Sequence, residues 1–283
     1  MNLTSHSKDA LKAINQSVSQ ALKEDIGNGD VTAASFTNNE IATAIVICRE
    51  EAVLCGQIWF ELTFHQLDAD ITIEWMFADS DLIQADDEVC KLKGNAQAIL
   101  SGERTALNFL QTLSGTASKT KTYVDRIAGT EAKILDTRKT LPGMRYAQKY
   151  AVRCGGGENH RMGLYDAILI KENHIATSGS VSNAVQTAKK LYPTLKLEVE
   201  VENEVQLKEA LASEADVILL DNFSLSELEA AVLITDGKKK LEASGNMTLE
   251  NIREVAKTGV DYISIGAITK HVRAIDFSMR FEK

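Results

Sequence analysis

Residues 197–222, LEVEVENEVQLKEALASEADVILLDN, contain the pattern that decides the fold of this 283-residue chain. Two short apolar runs, 197–201 and 217–220, flank a segment that reads as a helix. Polar residues close both runs: Glu200 and Glu202 at the first, and Asp221-Asn222 after the second. A strand, a helix and a second strand in this order predict two parallel strands joined by a crossover.

The same alternation begins near residue 131 and continues to about residue 265. One predicted helix stops just before Pro193, and Ser224 stands three residues before Glu227, the spacing of a capping box. Repeated strand–helix units predict a parallel sheet, either open or closed into a barrel. The six predicted strands are 133–135, 167–170, 197–201, 217–220, 241–243 and 262–265.

The first half of the chain has a different pattern. Residues 9–23 have apolar side chains at helical spacing, and a longer helical pattern covers 106–127. Three strand-like runs lie between them, at 41–48, 71–77 and 88–92, separated by glycine and Asp/Asn-rich turns. This half is predicted to be an α+β unit.

Polar or glycine residues stand at the carboxyl end of every predicted strand in the second half. In a βα barrel those ends converge on one mouth, where the active site lies. A single such residue is explained by helix capping, whereas six in succession favour a shared site and therefore the barrel. The residues are Asp136–Lys139, Lys171–His174, Glu200 with Glu202, Asp221-Asn222, Ser244–Asn246 and Gly266.

Composition excludes several classes of function. A net charge of -9 argues against a nucleic-acid-binding surface. No apolar run approaches the roughly 20 residues that span a bilayer. The polar N-terminus lacks a signal-peptide pattern, so we expect a cytoplasmic protein with no membrane contact. The four cysteines have no CxxC spacing, and we expect small buried thiols rather than a zinc site or disulfides.

A local excess of cations indicates a small anionic ligand. Residues 131–175 carry eight cations against five acids. A chance cluster of solvated surface charges explains this excess equally well. Arginine pairs with carboxylates through two hydrogen bonds, and lysine suits phosphate. The turns Ser244-Gly245 and Gly266-Ala267 can present backbone N–H groups to a phosphate, as the loops after final barrel strands often do.

The acids at the strand ends leave three alternatives open. Glu200 and Asp221 can hold Mg²⁺ through water, accept hydrogen bonds from sugar hydroxyls, or act as an acid/base pair. The stretch GGGENHR at 155–161 is not a P-loop, because it lacks the lysine followed by serine or threonine. His174 is expected in the core or behind the site.

Together these residues resemble the type II phosphoribosyltransferases, most closely the quinolinate phosphoribosyltransferase family (nicotinate-nucleotide pyrophosphorylase, carboxylating). The resemblance covers nearly the whole chain, and DTRKTLPG followed by GGGENHR is its most specific part. The matching stretches are EDIGNGDVT (24–32), SGERTALNF (101–109), DTRKTLPG (136–143), GGGENHRMGLYDAILIKENH (155–174), 198–202, 219–222, 242–245 and 263–266.

The resemblance implies a fold and a reaction. An N-terminal α/β sandwich domain, residues 1–113 rejoined by the tail 270–283, would precede an incomplete α/β barrel at 114–269. The protein would form a homodimer in which the partner's N-terminal domain closes each barrel mouth. The reaction would join quinolinate to 5-phosphoribosyl-1-pyrophosphate with Mg²⁺, giving nicotinate mononucleotide, CO₂ and pyrophosphate for NAD biosynthesis.

The resemblance also implies residue roles. Quinolinate would be bound by Arg104 from the partner subunit together with Arg138, His160, Arg161 and Lys171. The sugar donor would be bound by Lys139, Glu200, Asp221, Ser244, Gly245, Gly266 and Ala267. Lys139, Lys171, Glu200 and Asp221 would serve the chemistry, the two acids holding Mg²⁺ through water or substrate. The chain departs from many members at Asn246, where a second glycine is common, and at Lys270-His271, where His-Ser is common.

Three rival functions are compatible with a barrel whose strand ends carry polar residues. A related enzyme could use nicotinate or nicotinamide, although one carboxylate needs fewer arginines than Arg104, Arg138 and Arg161 provide. An aldolase could use Lys139 or Lys171 as a Schiff-base nucleophile. A barrel without catalytic activity could bind metabolites as a sensor.

Overall fold

A computed structural model of the protein describes residues 8–36 and 40–282. Its helices are α1 (Lys8–Ile26), α2 (Ala33–Phe36), α3 (Gln57–Leu67), α4 (Ala96–Arg126), α5 (Arg145–Cys154), α6 (Glu172–Ser178), α7 (Val181–Leu191), α8 (Glu204–Leu211), α9 (Leu225–Thr235), α10 (Ile252–Lys257) and α11 (Ala267–Lys270). Its strands are β1 (Ile41–Cys48), β2 (Ala52–Val53), β3 (Thr72–Trp75), β4 (Leu82–Ile83), β5 (Glu88–Asn95), β6 (Lys133–Leu135), β7 (Ile168–Ile170), β8 (Leu197–Val201), β9 (Val217–Asp221), β10 (Lys240–Ser244), β11 (Tyr262–Ser264) and β12 (Phe277–Phe281).

The chain forms two compact units. The described residues up to Lys121, with Thr140–Gly156 and 269–282, make up the first, and Thr122–Lys139 with Gly157–Ile268 make up the second. The range predicted for the barrel, 114–269, includes residues 114–121 and 140–156. In the structure these residues group with the first unit.

The first unit is an antiparallel sheet covered by helices, an α/β sandwich. The strand order is β12-β1-β5-β3, so the C-terminal strand returns to pair with β1. One apolar core lies between this sheet and helices α3 and α4, and includes Phe60, Phe64 and Leu107. A second core joins the other faces of α3 and α4 to α1 and α5, around Trp59. The predicted α+β unit is confirmed.

The second unit is a six-stranded parallel sheet with the order β6-β11-β10-β9-β8-β7. The order from β7 to β11 follows the chain without a reversal, and β6 then follows β11. A doubly wound sheet would instead reverse direction at a switch point. The arrangement is that of an α/β barrel left open between β6 and β7, and the prediction of an incomplete barrel is confirmed. The central strand β8 is buried over all five residues and therefore on both faces.

Two further features concern the cysteines and the helices. All four cysteines are free thiols; Cys154 is half-buried and the others are buried. In the described part of the chain, no helix combines the length and the apolar character needed to cross a membrane.

Candidate active site

A pocket of about 340 Å³ lies in the second unit at the carboxyl ends of the parallel strands. Two cavities of about 400 Å³ in the first unit are slightly larger, but among the described residues no cation lines either of them. The strand-end pocket is therefore the candidate site for an anionic ligand. Its lining residues are Thr137, Arg138, Lys139, His160, Arg161, Leu169, Lys171, Glu200, Leu219, Glu242, Ser244 and Ser264.

Every second side chain along a strand points into the barrel, because side chains alternate between the two faces. Successive side chains of a strand point to opposite faces, so residues two apart share the inner face. Glu242 and Ser244 of β10 line the pocket together. Glu200 pairs in register with Leu219, and Asp221 pairs with Ser244. The predicted residues Asp221 and Ser244 therefore end neighbouring strands.

Two arginines converge on the pocket from different segments. Arg138 follows β6, and Arg161 precedes β7, where its Nη1 donates to the carbonyl oxygen of Ala167 at 3.2 Å. Burial, and after it the positive charge of Arg138, lower the pKa of Arg161. The negative charges of Glu198 and Asp166 oppose this shift, and two cations at one pocket favour a ligand with more than one negative charge.

The two lysines lie at the same pocket. The N–H of Lys139 donates to Thr137 Oγ1 at 3.0 Å, which shapes the loop after β6. Lys171 follows β7, and its Nζ donates to Glu200 Oε2 at 2.6 Å. Burial raises the pKa of Glu200, while the hydrogen bond and charge of Lys171 oppose this shift. The lysine side chain is 44% exposed and ion-paired, unlike the desolvated lysine that a Schiff-base mechanism needs.

The glycines before Arg161 set the path of the backbone. A Cβ on Gly155 would overlap the carbonyl oxygen of Ala117, and Gly156 has a φ of 85°. Beyond it, Glu158 forms a parallel bridge with Leu135 beside β6. Glycine at 155 and 156 therefore allows the backbone to pass close to α4 and to turn before β7.

Asp136 and His160 fix the end of the same stretch. Asp136, fully buried at the end of β6, accepts the N–H of His160 at 2.9 Å and the amide of Asn159 at 2.6 Å. His160 Nε2 lies 2.8 Å from Glu198 Oε2 and 3.8 Å from Glu242 Oε2. Both ring nitrogens of His160 have protein partners, because Nδ1 accepts the N–H of Arg161.

Glu198 and Glu242 are functional candidates that the sequence reasoning missed. Both are buried inside strands, at 4% and 1% exposure. The available signal was spacing: each stands two residues before a predicted site residue, Glu200 or Ser244, and therefore shares its inner face.

The turn after β10 has the tight geometry expected of a phosphate-binding loop. Gly245 has a φ of 92°, and a Cβ there would overlap Asn222 Oδ1. Asn246 also has a positive φ, 52°, and its Nδ2 donates to Asn222 Oδ1 at 3.2 Å. At Gly266, a Cβ would come within 2.9 Å of the Lys139 side chain. Glycine at both turns leaves room for neighbouring side chains.

Several predicted residues lie outside the pocket lining, among them Asp221, Gly245 and Gly266 at the strand ends. Arg104 is an exposed residue of α4 in the first unit, and Ala267 begins α11. Lys270 and His271 are exposed. The expectation of a core position for His174 is wrong: the residue is exposed, and its Nδ1 caps α6 by accepting the N–H of Lys171 at 3.0 Å.

Comparison with known proteins identifies relatives over almost the full length of the chain. Models of the quinolinate phosphoribosyl transferase N-terminal and C-terminal domains match residues 30–114 and 116–280. A probable nicotinate-nucleotide pyrophosphorylase [carboxylating] from Bacillus subtilis is 42% identical over 257 residues, covering 90% of this chain and 89% of the relative. The chloroplastic nicotinate-nucleotide pyrophosphorylase [carboxylating] of Arabidopsis thaliana is 38% identical, covering 98% of this chain and 84% of its own. The structure of the nicotinate-nucleotide pyrophosphorylase from Francisella tularensis matches with a TM-score of 0.93 and 49% identity over 96% of both chains.

Proposed function

The chain belongs to the quinolinate phosphoribosyltransferase family, and from this premise we propose that its strand-end pocket joins quinolinate to 5-phosphoribosyl-1-pyrophosphate. The ring nitrogen of quinolinate forms a bond to the anomeric carbon of the ribose, while the bond from that carbon to pyrophosphate breaks. The carboxylate next to the ring nitrogen then leaves as CO₂, and a proton replaces it. The products are nicotinate mononucleotide, CO₂ and pyrophosphate, a step of NAD biosynthesis.

The convergence of Arg138 and Arg161 is the observation that carries this proposal. A pair of neighbouring guanidiniums at one pocket matches the two carboxylates of quinolinate, each able to accept a forked pair of hydrogen bonds. We assign quinolinate to these arginines, with His160 and Lys171 at the same end of the pocket. A ligand with a single carboxylate would leave one of the two guanidiniums without a carboxylate of the substrate to bind.

The sugar donor is assigned to the turns after β10 and β11. Ser244 and Gly245 would hold the 5′-phosphate with Gly266 and Ala267, because the glycine turns can present backbone N–H groups. Lys139 and Lys171 would lie between quinolinate and the pyrophosphate, whose negative charge grows as it leaves. The electrons released by decarboxylation enter the positively charged pyridinium ring, so the reaction needs no covalent adduct with the protein.

Mg²⁺ is proposed as the metal that accompanies the pyrophosphate. Glu200 and Asp221 end adjacent strands, and the negative charge of Asp221 contributes to the raised pKa of Glu200. A site with only oxygen ligands suits Mg²⁺, which keeps several of its waters. When bound, the ion would neutralise charge on the departing pyrophosphate. The two acids would hold it through water or through substrate hydroxyls.

We also propose a homodimer with shared active sites. Arg104 is exposed on the first unit, and the family resemblance implies that it reaches the pocket of the partner subunit. Mixing Arg104→Ala subunits with Lys171→Ala subunits tests this arrangement, because one site of a mixed dimer would then contain both native residues. Recovery of up to about a quarter of the wild-type activity supports the sharing, and no recovery contradicts it. The cytoplasmic location remains a prediction from the sequence.

Turnover of two substrates tests the proposed reaction. The protein is supplied with 5-phosphoribosyl-1-pyrophosphate, Mg²⁺ and either quinolinate or nicotinate, and pyrophosphate release is measured. We expect release with quinolinate, accompanied by an equal amount of CO₂, and at least about a hundredfold lower kcat/KM with nicotinate. Equal kcat/KM values for the two acids would contradict the assignment, and no release with either would contradict an enzymatic role of this kind.

A further inference from the structure

The imidazole of His160 is held in one tautomer by partners on both sides. Its Nδ1 accepts the backbone N–H of Arg161 at 2.8 Å and therefore carries no proton. The neutral ring must then carry its proton on Nε2, which lies 2.8 Å from Glu198 Oε2. His160 accordingly donates to Glu198.

A second glutamate, Glu242, supports Glu198 as the acceptor. Glu198 and Glu242 lie on β8 and β10, and the Oε1 atom of each is buried with no hydrogen-bond partner among the described atoms. Burial, followed by the negative charge of Glu198, raises the pKa of Glu242 well above its usual range. A carboxylic acid on Glu242 can donate to Glu198, which leaves Glu198 as the acceptor for His160.

This tautomer excludes His160 Nε2 as a metal ligand in the cluster of His160, Glu198 and Glu242. One histidine nitrogen and two carboxylates within 4.8 Å of one another form a set of groups that can ligate a cation. A nitrogen that ligates a metal carries no proton. Since Nδ1 of His160 already accepts a hydrogen bond, Nε2 is the protonated nitrogen and is not available as a ligand.

The hydrogen bonds connect Arg161 to two strands of the barrel. Asp136, after β6, accepts the backbone N–H of His160, and Glu198, on β8, accepts the His160 ring proton. The ring in turn accepts the backbone N–H of Arg161. The backbone from which the Arg161 guanidinium extends is thus fixed relative to the barrel interior.

We infer that His160 is a positioning residue that fixes Arg161 through Glu198, and that its ring does not itself bind a substrate carboxylate. The hydrogen-bond arrangement stands independently of the reaction, whereas its effect on quinolinate rests on the proposed function. The implied role of His160 in direct binding is replaced by an indirect one, and Glu198 becomes a determinant of quinolinate affinity.

Kinetics of matched variants test the inference. Glu198→Leu removes the acceptor for Nε2, and Glu198→Gln keeps an oxygen at the same place. We expect Glu198→Leu to raise the KM for quinolinate about tenfold, corresponding to the loss of one hydrogen bond, with little change in the KM for the sugar donor. Glu198→Gln should stay within about threefold of the wild type, a rescue that a purely packing role would not predict.

A double-variant comparison separates positioning from direct binding. His160→Leu should raise the KM for quinolinate as much as Glu198→Leu does, and the double variant should be no worse than either, because both act through one contact chain. A wild-type KM in Glu198→Leu would overturn the inference. Effects that multiply in the double variant would also overturn it, since they would show independent roles.

A spectroscopic measurement on the unaltered chain gives an answer even where a variant folds poorly. Nitrogen-15 spectra of the five histidines, with the His160 signals identified by their loss in His160→Gln, report which nitrogen carries the proton. We expect a neutral ring with its proton on Nε2, both free and with quinolinate bound. A ring protonated on Nδ1 would overturn the inference. Absence of quinolinate turnover in the wild type would instead refute the proposed function and leave the tautomer result standing.

Discussion

Replacing Arg161 with alanine should weaken quinolinate binding selectively. The guanidinium is half-buried, is oriented by the carbonyl oxygen of Ala167, and lies within the electrostatic influence of Arg138. Arg161→Ala removes one of the two forked donors that we assign to the substrate carboxylates. Arg138 would then be the remaining arginine of the pair.

The magnitude follows from two opposing effects. Loss of a desolvated, charged hydrogen-bond partner costs about 2–5 kcal/mol. Relief of the repulsion between Arg161 and Arg138 in the free protein offsets part of this cost, which places the expected value at about 2–3 kcal/mol. At about 1.4 kcal/mol for each factor of ten, the KM for quinolinate should rise about 30- to 150-fold.

The assay is steady-state pyrophosphate release with each substrate varied in turn. Arg161→Lys keeps the charge but loses the fork and should give a smaller rise, about tenfold. Arg253→Ala is the matched control, because Arg253 is an exposed residue of the same unit whose contacts are backbone carbonyls at 126 and 128. A quinolinate KM that stays unchanged in Arg161→Ala, or an equal rise in the KM for the sugar donor, would refute the reasoning.

Three other variants test separate parts of the account. Gly245→Ala should raise the KM for 5-phosphoribosyl-1-pyrophosphate at least about tenfold and leave the KM for quinolinate unchanged. The reason is that a Cβ at 245 overlaps Asn222 and that an alanine is strained at a φ of 92°. Equal effects on the two KM values would contradict the phosphate assignment. Asp79 has its pKa raised to about 6 by burial, so the native state binds more protons than the unfolded state between pH 4 and 6, and stability falls as the pH rises through that window. Relative to Asp79→Asn, the wild type should lose about 2.4 kcal/mol of unfolding free energy from pH 4 to pH 7 in urea titrations, and a constant difference would count against the buried carboxylate. Trp59→Ala should lower the unfolding free energy by about 3–5 kcal/mol, since Trp59 is fully buried between helices. A loss below about 1 kcal/mol in the same titrations would show that the second core of the first unit is not packed as described.

Much of the barrel could be predicted because its strands are short apolar runs with polar ends. Strands 133–135 and 197–201 match the structure residue for residue, and the others differ at their ends by one residue each. The capping box at Ser224 and Glu227 is present as predicted. These features are local, so the sequence alone carries them.

The interior of the site could not be predicted as fully, because it depends on which face each strand turns inward. Glu198 shares the face of Glu200 two residues later, but the alternation of glutamate and valine does not by itself show which face of the strand turns inward. The partnership of His160 with Glu198 joins residues 38 positions apart, which no spacing rule predicts. His174 was misplaced because a lone histidine after a strand gives no indication of burial, whereas its capping role follows from the backbone at Lys171.

A crystal structure of the protein with quinolinate bound tests the central claim most directly. We expect the guanidiniums of Arg138 and Arg161 to lie within about 3 Å of carboxylate oxygens of the substrate, while His160 Nε2 stays hydrogen-bonded to Glu198. Quinolinate bound in the strand-end pocket with neither arginine on a carboxylate, or bound elsewhere on the protein, would contradict it.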